Sequence, residues 1–186
     1  MGTRSLIGHQ NPDGTVTYVY AHWDGYIACN GRILSKHYRD RSKVEALVAL
    51  GDLSSLKAEI GEKHPFDGYR LTDAEKERYK NMTTFYHRDR EEDWDSVEPK
   101  TVASPEAYLN TSHGTEYWYL YVNGAWFYDD GDCKLRPLAP AVAALDAPSK
   151  TNDEDASDPD GIQDGAQETA PAPVVPAVAP RIGTWI

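Results

Sequence analysis

His22 and Asp24 stand two positions apart in the stretch His22-Trp23-Asp24-Gly25-Tyr26, at the end of a strand-like run. In an extended backbone alternate side chains share a face, so an imidazole and a carboxylate at this spacing point the same way. Such a pair suits a metal centre, with Cys29 or His37 as a further ligand, or a site in which the carboxylate orients the ring. Nothing else in the chain supports either use. The spacings that build metal and hydrolytic centres, His-x-x-x-His, Glu-x-x-His, paired cysteines and Gly-x-Ser-x-Gly, are absent, and Cys29 lacks a nucleophile's local signature. No catalytic residue, metal or cofactor is therefore expected. Two other readings of the junction stay open. Trp23 and Tyr26 could wall a pocket for a planar ligand, or Asp24-Gly25 could simply turn the chain and cap the next helix while both rings pack beneath it.

A second dense stretch is Thr-Thr-Phe-Tyr-His-Arg-Asp-Arg, residues 83–90, followed by Glu91, Glu92, Asp93 and Asp95. Phe85 and Tyr86 with Arg88 and Arg90 combine stacking surface with planar cations, a combination able to hold a base and clamp a phosphate. The alternating charges fit equally a solvated loop held by local ion pairs. No phosphate-binding glycine loop occurs anywhere, which argues against nucleoside triphosphate hydrolysis by a known motif.

The elements that must position these residues are legible in outline. Thr3–His9 and Thr15–Trp23 flank Asn11-Pro12-Asp13-Gly14, a hairpin signature. Ile33, Leu34, His37 and Tyr38, then Val44, Leu47, Val48 and Leu50, recur at helical spacing with a break near Arg39–Ser42 and Gly51 as a C-cap. Thr72 and Glu75 predict a capping box, Met82–Arg88 and Glu98–Ser104 predict strands, and Ser104-Pro105 opens a short helix. Asn123-Gly124 between aromatic runs predicts a second hairpin whose register sets Val122 opposite Ala125 and Tyr119 opposite Tyr128. One face then carries Trp118, Leu120, Val122, Ala125 and Phe127, the expected core. The other carries Tyr117, Tyr119, Tyr121, Trp126 and Tyr128, an expected partner-binding platform. The reading is an α+β body with a mostly antiparallel sheet of about four to six strands, packed by helices on one side.

Length and composition set the frame. A chain of 186 residues, 40% hydrophobic, suits one folded body, and a net charge of −11 argues against direct nucleic-acid binding. No membrane span or signal peptide is legible, and the two cysteines read as reduced thiols, so a cytoplasmic location is expected. Composition shifts after Leu138. Residues 139–186 are rich in Ala and Pro and hold eight acidic residues against Lys150 and Arg181, so the domain is expected to span 1–138 and a disordered acidic tail 139–186.

Five motifs in one order, Met-Gly-Thr-Arg-Ser at the start, Asp-Gly-Thr-Val-Thr, His-Trp-Asp-Gly-Tyr, Ala-Leu-Gly-Asp-Leu-Ser-Ser-Leu and Thr-Thr-Phe-Tyr-His-Arg-Asp-Arg, resemble a family of small accessory proteins of tailed bacteriophages and prophages. The resemblance covers roughly residues 1–128; this chain has Ile27 where relatives often carry proline, and the tail is its own. It implies a setting, an infected bacterium, and no reaction. The leading expectation is thus a phage protein that acts by binding and modulates or inhibits a host defence factor. The tyrosine platform, or Ile182, Trp185 and Ile186 at the tail's end, would fill a partner's pockets. One alternative sequesters a small nucleotide signal with His22, Trp23, Tyr26, Phe85, Tyr86, Arg88 and Arg90 around it. A second is a hydrolase using His22 and Asp24. A homo-oligomer paired through an aromatic edge remains compatible with all three.

Overall fold

Alternating apolar residues make Ser5–Gln10 (β1) and Val16–Ala21 (β2) an antiparallel hairpin, Ser5 opposite Ala21 and Gln10 opposite Val16. Its turn is closed by Gly14 at φ +90°, whose N–H donates to the Asn11 carbonyl at 3.0 Å. The computed structural model describes residues 2–111 and 114–147. A π-helical turn, Ile27–Gly31, follows β2 and runs into Arg32–His37 (α1) and Arg41–Val48 (α2), broken where the periodicity predicts. Then come Leu53–Ser55 (β3), Asp73–Tyr79 (α3), Thr84–Phe85 (β4), Tyr86–Arg90 (α4), Trp94–Val97 (α5), Lys100–Val102 (β5) and Pro105–Leu109 (α6). Tyr117–Val122 (β6), Ala125–Asp129 (β7), Arg136–Pro137 (β8) and Leu138–Leu145 (α7) complete the body. The Thr72–Glu75 capping box and the Ser104 cap on α6 both form.

The protein is α+β. One sheet runs β4-β3-β2-β1-β6-β7-β8, with β5 beside β2 where β3 does not reach. Only β1–β6 and β2–β3 pair in parallel, so the sheet is mostly antiparallel, though longer than four to six strands. The additional strands β3 and β8 have three and two residues, too short to alternate legibly. Helices α1, α2 and α7 cover one face, burying Leu34, Tyr38, Val44, Leu47, Leu138 and Val142 against Ile7, Val19, Tyr119 and Tyr121. On the other face Tyr108 of α6 closes a smaller cluster around Leu6, Val16, Tyr18, Trp118 and Leu120. Each fully buried Leu or Val side chain contributes about 1.5–3 kcal/mol, so the helical face dominates the core. Among the described residues no helix is long and apolar enough to cross a membrane.

Three expectations are corrected. The Asn123-Gly124 hairpin forms with the predicted register, and Trp118 and Leu120 of the expected core face are buried, but the tyrosine side is interior too: Tyr119 and Tyr121 are 0% and 2% exposed, and Trp126 is buried. Their polar tips are satisfied from the helical layer, Tyr121 Oη by the Arg39 carbonyl at 2.5 Å and Trp126 Nε1 by the Tyr38 carbonyl at 2.7 Å. Tyr117 and Tyr128 are half-buried, so these five residues form no open platform. Second, the folded body does not stop at Leu138, which is fully buried and begins α7. Third, the strand expected over Met82–Arg88 is only Thr84–Phe85, because Asp89 accepts from the Phe85 N–H at 2.8 Å and winds the next residues into α4. The expected tail disorder over 148–186, with Ile182, Trp185 and Ile186, lies outside the described residues.

Candidate functional site

The junction after β2 is a rigid display of two aromatic rings. The strand ends at Ala21, and Asp24 takes φ +58°, a left-handed conformation that Asp tolerates better than most residues. Its carbonyl accepts from the Asn30 N–H at 3.1 Å, closing the π-helical turn back on the junction. Asn30, wholly buried, donates from Nδ2 to Ser5 Oγ at 3.2 Å and to the Trp23 carbonyl at 3.1 Å. Gly25 donates to the Thr3 carbonyl at 2.8 Å, and a Cβ there would lie 2.8 Å from the Arg4 backbone, so glycine is required. Beneath, Tyr119 Oη donates to the Gly25 carbonyl at 2.7 Å. With the backbone held from four directions, Trp23 is 45% and Tyr26 41% exposed. Asp24-Gly25 turns the chain as the structural reading expects, but the two rings do not pack beneath the turn.

Among the described residues His22 and Asp24 form no hydrogen bond or ion pair with each other. His22 Nδ1 meets Tyr20 Oη at 3.0 Å, and its ring lies edge-on to Trp23, centroids 4.7 Å apart. Burial, aided by Arg4, lowers the His22 pKa below its ordinary 6.5. Asp24 instead acts on Cys29, where burial first and the Asp24 charge second raise the thiol pKa.

The arginine-bearing stretch divides into a lock and a surface. Arg88 is anchored: Nε and Nη2 donate to the two Asp89 carboxylate oxygens at 2.8 and 2.9 Å, Nη1 to the Ile60 and Gly61 carbonyls, and Nη2 also to the Thr83 carbonyl at 2.6 Å. All five guanidinium donors are engaged, so none remains for a phosphate. Phe85 is wholly buried beneath this arginine, 4.7 Å from the ring centroid, and is core. Arg90 is exposed, pairs with Glu92 at 3.2 Å and lies over Phe66. It borders an 850 Å³ hollow that also holds Phe66 and Tyr69, yet Asp67, Glu75, Asp89 and Glu91 line the same hollow. That excess of negative charge opposes an anionic ligand.

Both stretches meet strand β3 from opposite edges. His22 and Trp23 donate to the Leu53 and Ser54 carbonyls, while Phe85 pairs with Leu53 and the Tyr86 N–H donates to the Asp52 carbonyl at 3.1 Å. Between them, where β2 passes from pairing with β5 to pairing with β3, the Tyr20 N–H lacks a ladder partner. Asp52 Oδ1 supplies one at 2.7 Å. The carboxylate sits in a cleft of about 230 Å³ with Tyr18, Tyr20 and Lys100, and burial pushes its pKa up to about 6 against the Tyr20 N–H and Lys100. Tyr86, half-buried, lies within the field of Tyr20 and Glu92 beside this cleft. Asp52 falls inside the Ala-Leu-Gly-Asp-Leu-Ser-Ser-Leu motif, just before β3, and Lys100 opens β5; no spacing links the two in the sequence.

No protein-family model, curated protein or solved structure matches the chain. The residues themselves carry the functional argument.

Proposed function

We propose that this chain is a phage-encoded accessory protein that acts by binding a protein of the bacterial host, modulating or inhibiting it in the cytoplasm of the infected cell. The phage setting rests on the five-motif resemblance alone. Binding rests on one observation: Trp23 and Tyr26 are large, half-exposed rings on a backbone fixed by buried hydrogen bonds. Rigid aromatic anchors of this kind concentrate binding energy at protein interfaces, since docking them costs little ordering entropy. Sequestration of a nucleotide keeps one supporting feature, the 850 Å³ hollow beside Arg90 and Phe66, which falls within the roughly 300–1,000 Å³ typical of small-molecule sites. Its acidic lining and the engagement of Arg88 make it the weaker reading. The test is capture of a host protein from lysate, identification by mass spectrometry and titration of the purified pair. Trp23→Ala with Tyr26→Ala should weaken the pair by about 30-fold or more without changing the fold. An unchanged affinity, or a nucleotide released from the purified chain, contradicts the proposal.

A further inference from the structure

We propose that the cleft walled by Tyr18 and Tyr20, with Asp52 inside it and Lys100 at its mouth, is a subsite for one cationic group, a guanidinium or primary ammonium, carried on a side chain of the protein partner. This rests on the reading that the chain docks a protein.

Asp52 is the reason. Its Oδ1 is held by the Tyr20 N–H at 2.7 Å, and its other oxygen has no donor among the described residues. Nor does the carboxylate form an ion pair among them. Lys100 acts on this carboxylate only through its field, and a half-buried carboxylate without a bonded cation is costly; an incoming cation offsets that cost while its stem covers apolar wall. Tyrosine rings line the same space, and aromatic walls beside a carboxylate are the chemistry that recognises ammonium and guanidinium groups. Glu92 adds negative potential at Asp52. Volume decides between a whole ligand and one side chain: 230 Å³ lies below the roughly 300 Å³ at which small-molecule pockets begin. The chain's charge of −11 likewise favours a basic partner. Lys100, in register with Tyr18, is the resident competitor; it is exposed and forms no salt bridge among the described residues, so it can swing aside.

The test uses the full chain and three probes, n-butylguanidinium, n-butylammonium and the neutral n-butylurea, followed by NMR at Tyr18, Tyr20, Asp52 and Lys100. Saturable shifts are expected with the two cations and not with the urea, weakened by salt. Asp52→Asn, which keeps an oxygen for the Tyr20 N–H, should weaken probe binding by at least about tenfold, and Lys100→Ala should tighten it. No saturable shift in the wild type, equal binding of the urea, or looser binding in Lys100→Ala overturns the proposal. Probe binding that persists in the Trp23→Ala, Tyr26→Ala double variant supports the cleft independently of the docking rings. Absent probe binding with intact partner capture overturns the cleft and leaves the docking reading standing. Unchanged partner affinity in Asp52→Asn overturns the assignment of the cation to the partner's side chain.

Discussion

Tyr119 donates its phenolic proton to the carbonyl of Gly25 at 2.7 Å, joining residues 94 positions apart in the sequence. The bond passes from the buried face of the sheet to the backbone of the junction that displays Trp23 and Tyr26. Burial drives the Tyr119 pKa far above its ordinary value, so the hydroxyl stays protonated and remains a donor. Tyr119→Phe leaves the Gly25 carbonyl without this donor, and a loss of about 1–3 kcal/mol in urea unfolding is expected.

Arg88 and Arg90 should behave oppositely. Removing Arg88 leaves Asp89, whose side chain is fully buried, without its cation, so Arg88→Ala should cost about 3–5 kcal/mol of stability. Arg90→Ala removes an exposed pair and should change stability by less than about 1 kcal/mol. Equal midpoints for the two variants would refute the division between lock and surface.

Asp52 makes stability depend on pH. Its folded pKa is raised from 3.8 to about 6, so the folded state holds the proton more tightly, and stability is lost as pH rises from about 4 to 6. Asp52→Asn removes that loss. The variant should match the wild type near pH 4 and exceed it at pH 7–8 by about 1–2 kcal/mol, the full shift discounted for partial exposure. Thermal unfolding across pH measures the difference; a variant less stable at pH 8 contradicts the assignment.

Helix α7 belongs to the folded body. The reference for this test is the chain ended at residue 147, the last described position. Ending it at residue 137 strips Leu138 and Val142 from the core and should cost at least about 3 kcal/mol.

Local rules read the chain well where one residue type forces one geometry. Asn123-Gly124 adopts φ +48° and +86° and delivers the predicted β6–β7 register, and Thr72 with Glu75 forms the predicted box. That both sides of that hairpin are covered is not legible, since covering depends on elements distant in the sequence. The covering layer decides, and part of it is α7, whose Leu-Ala-Pro-Ala composition reads as tail; Pro140 is tolerated because it falls in the first turn. At the candidate site, Trp23 and Tyr26 stand out by residue type, while their exposure is legible only in the structure. The engagement of Arg88 depends on carbonyls at Ile60, Gly61 and Thr83, two of them more than 20 residues away, and no spacing encodes that. Asp52 is legible only once β3 and β5 are seen to leave the Tyr20 N–H between them.

The central claim is that the ring pair on the β2 junction is a docking surface. Titration of the captured host protein against wild type and the Trp23→Ala, Tyr26→Ala variant, both shown to unfold at the same urea midpoint, tests it most directly. The account predicts a loss of affinity of about 30-fold or more. Equal affinity at equal stability would contradict it.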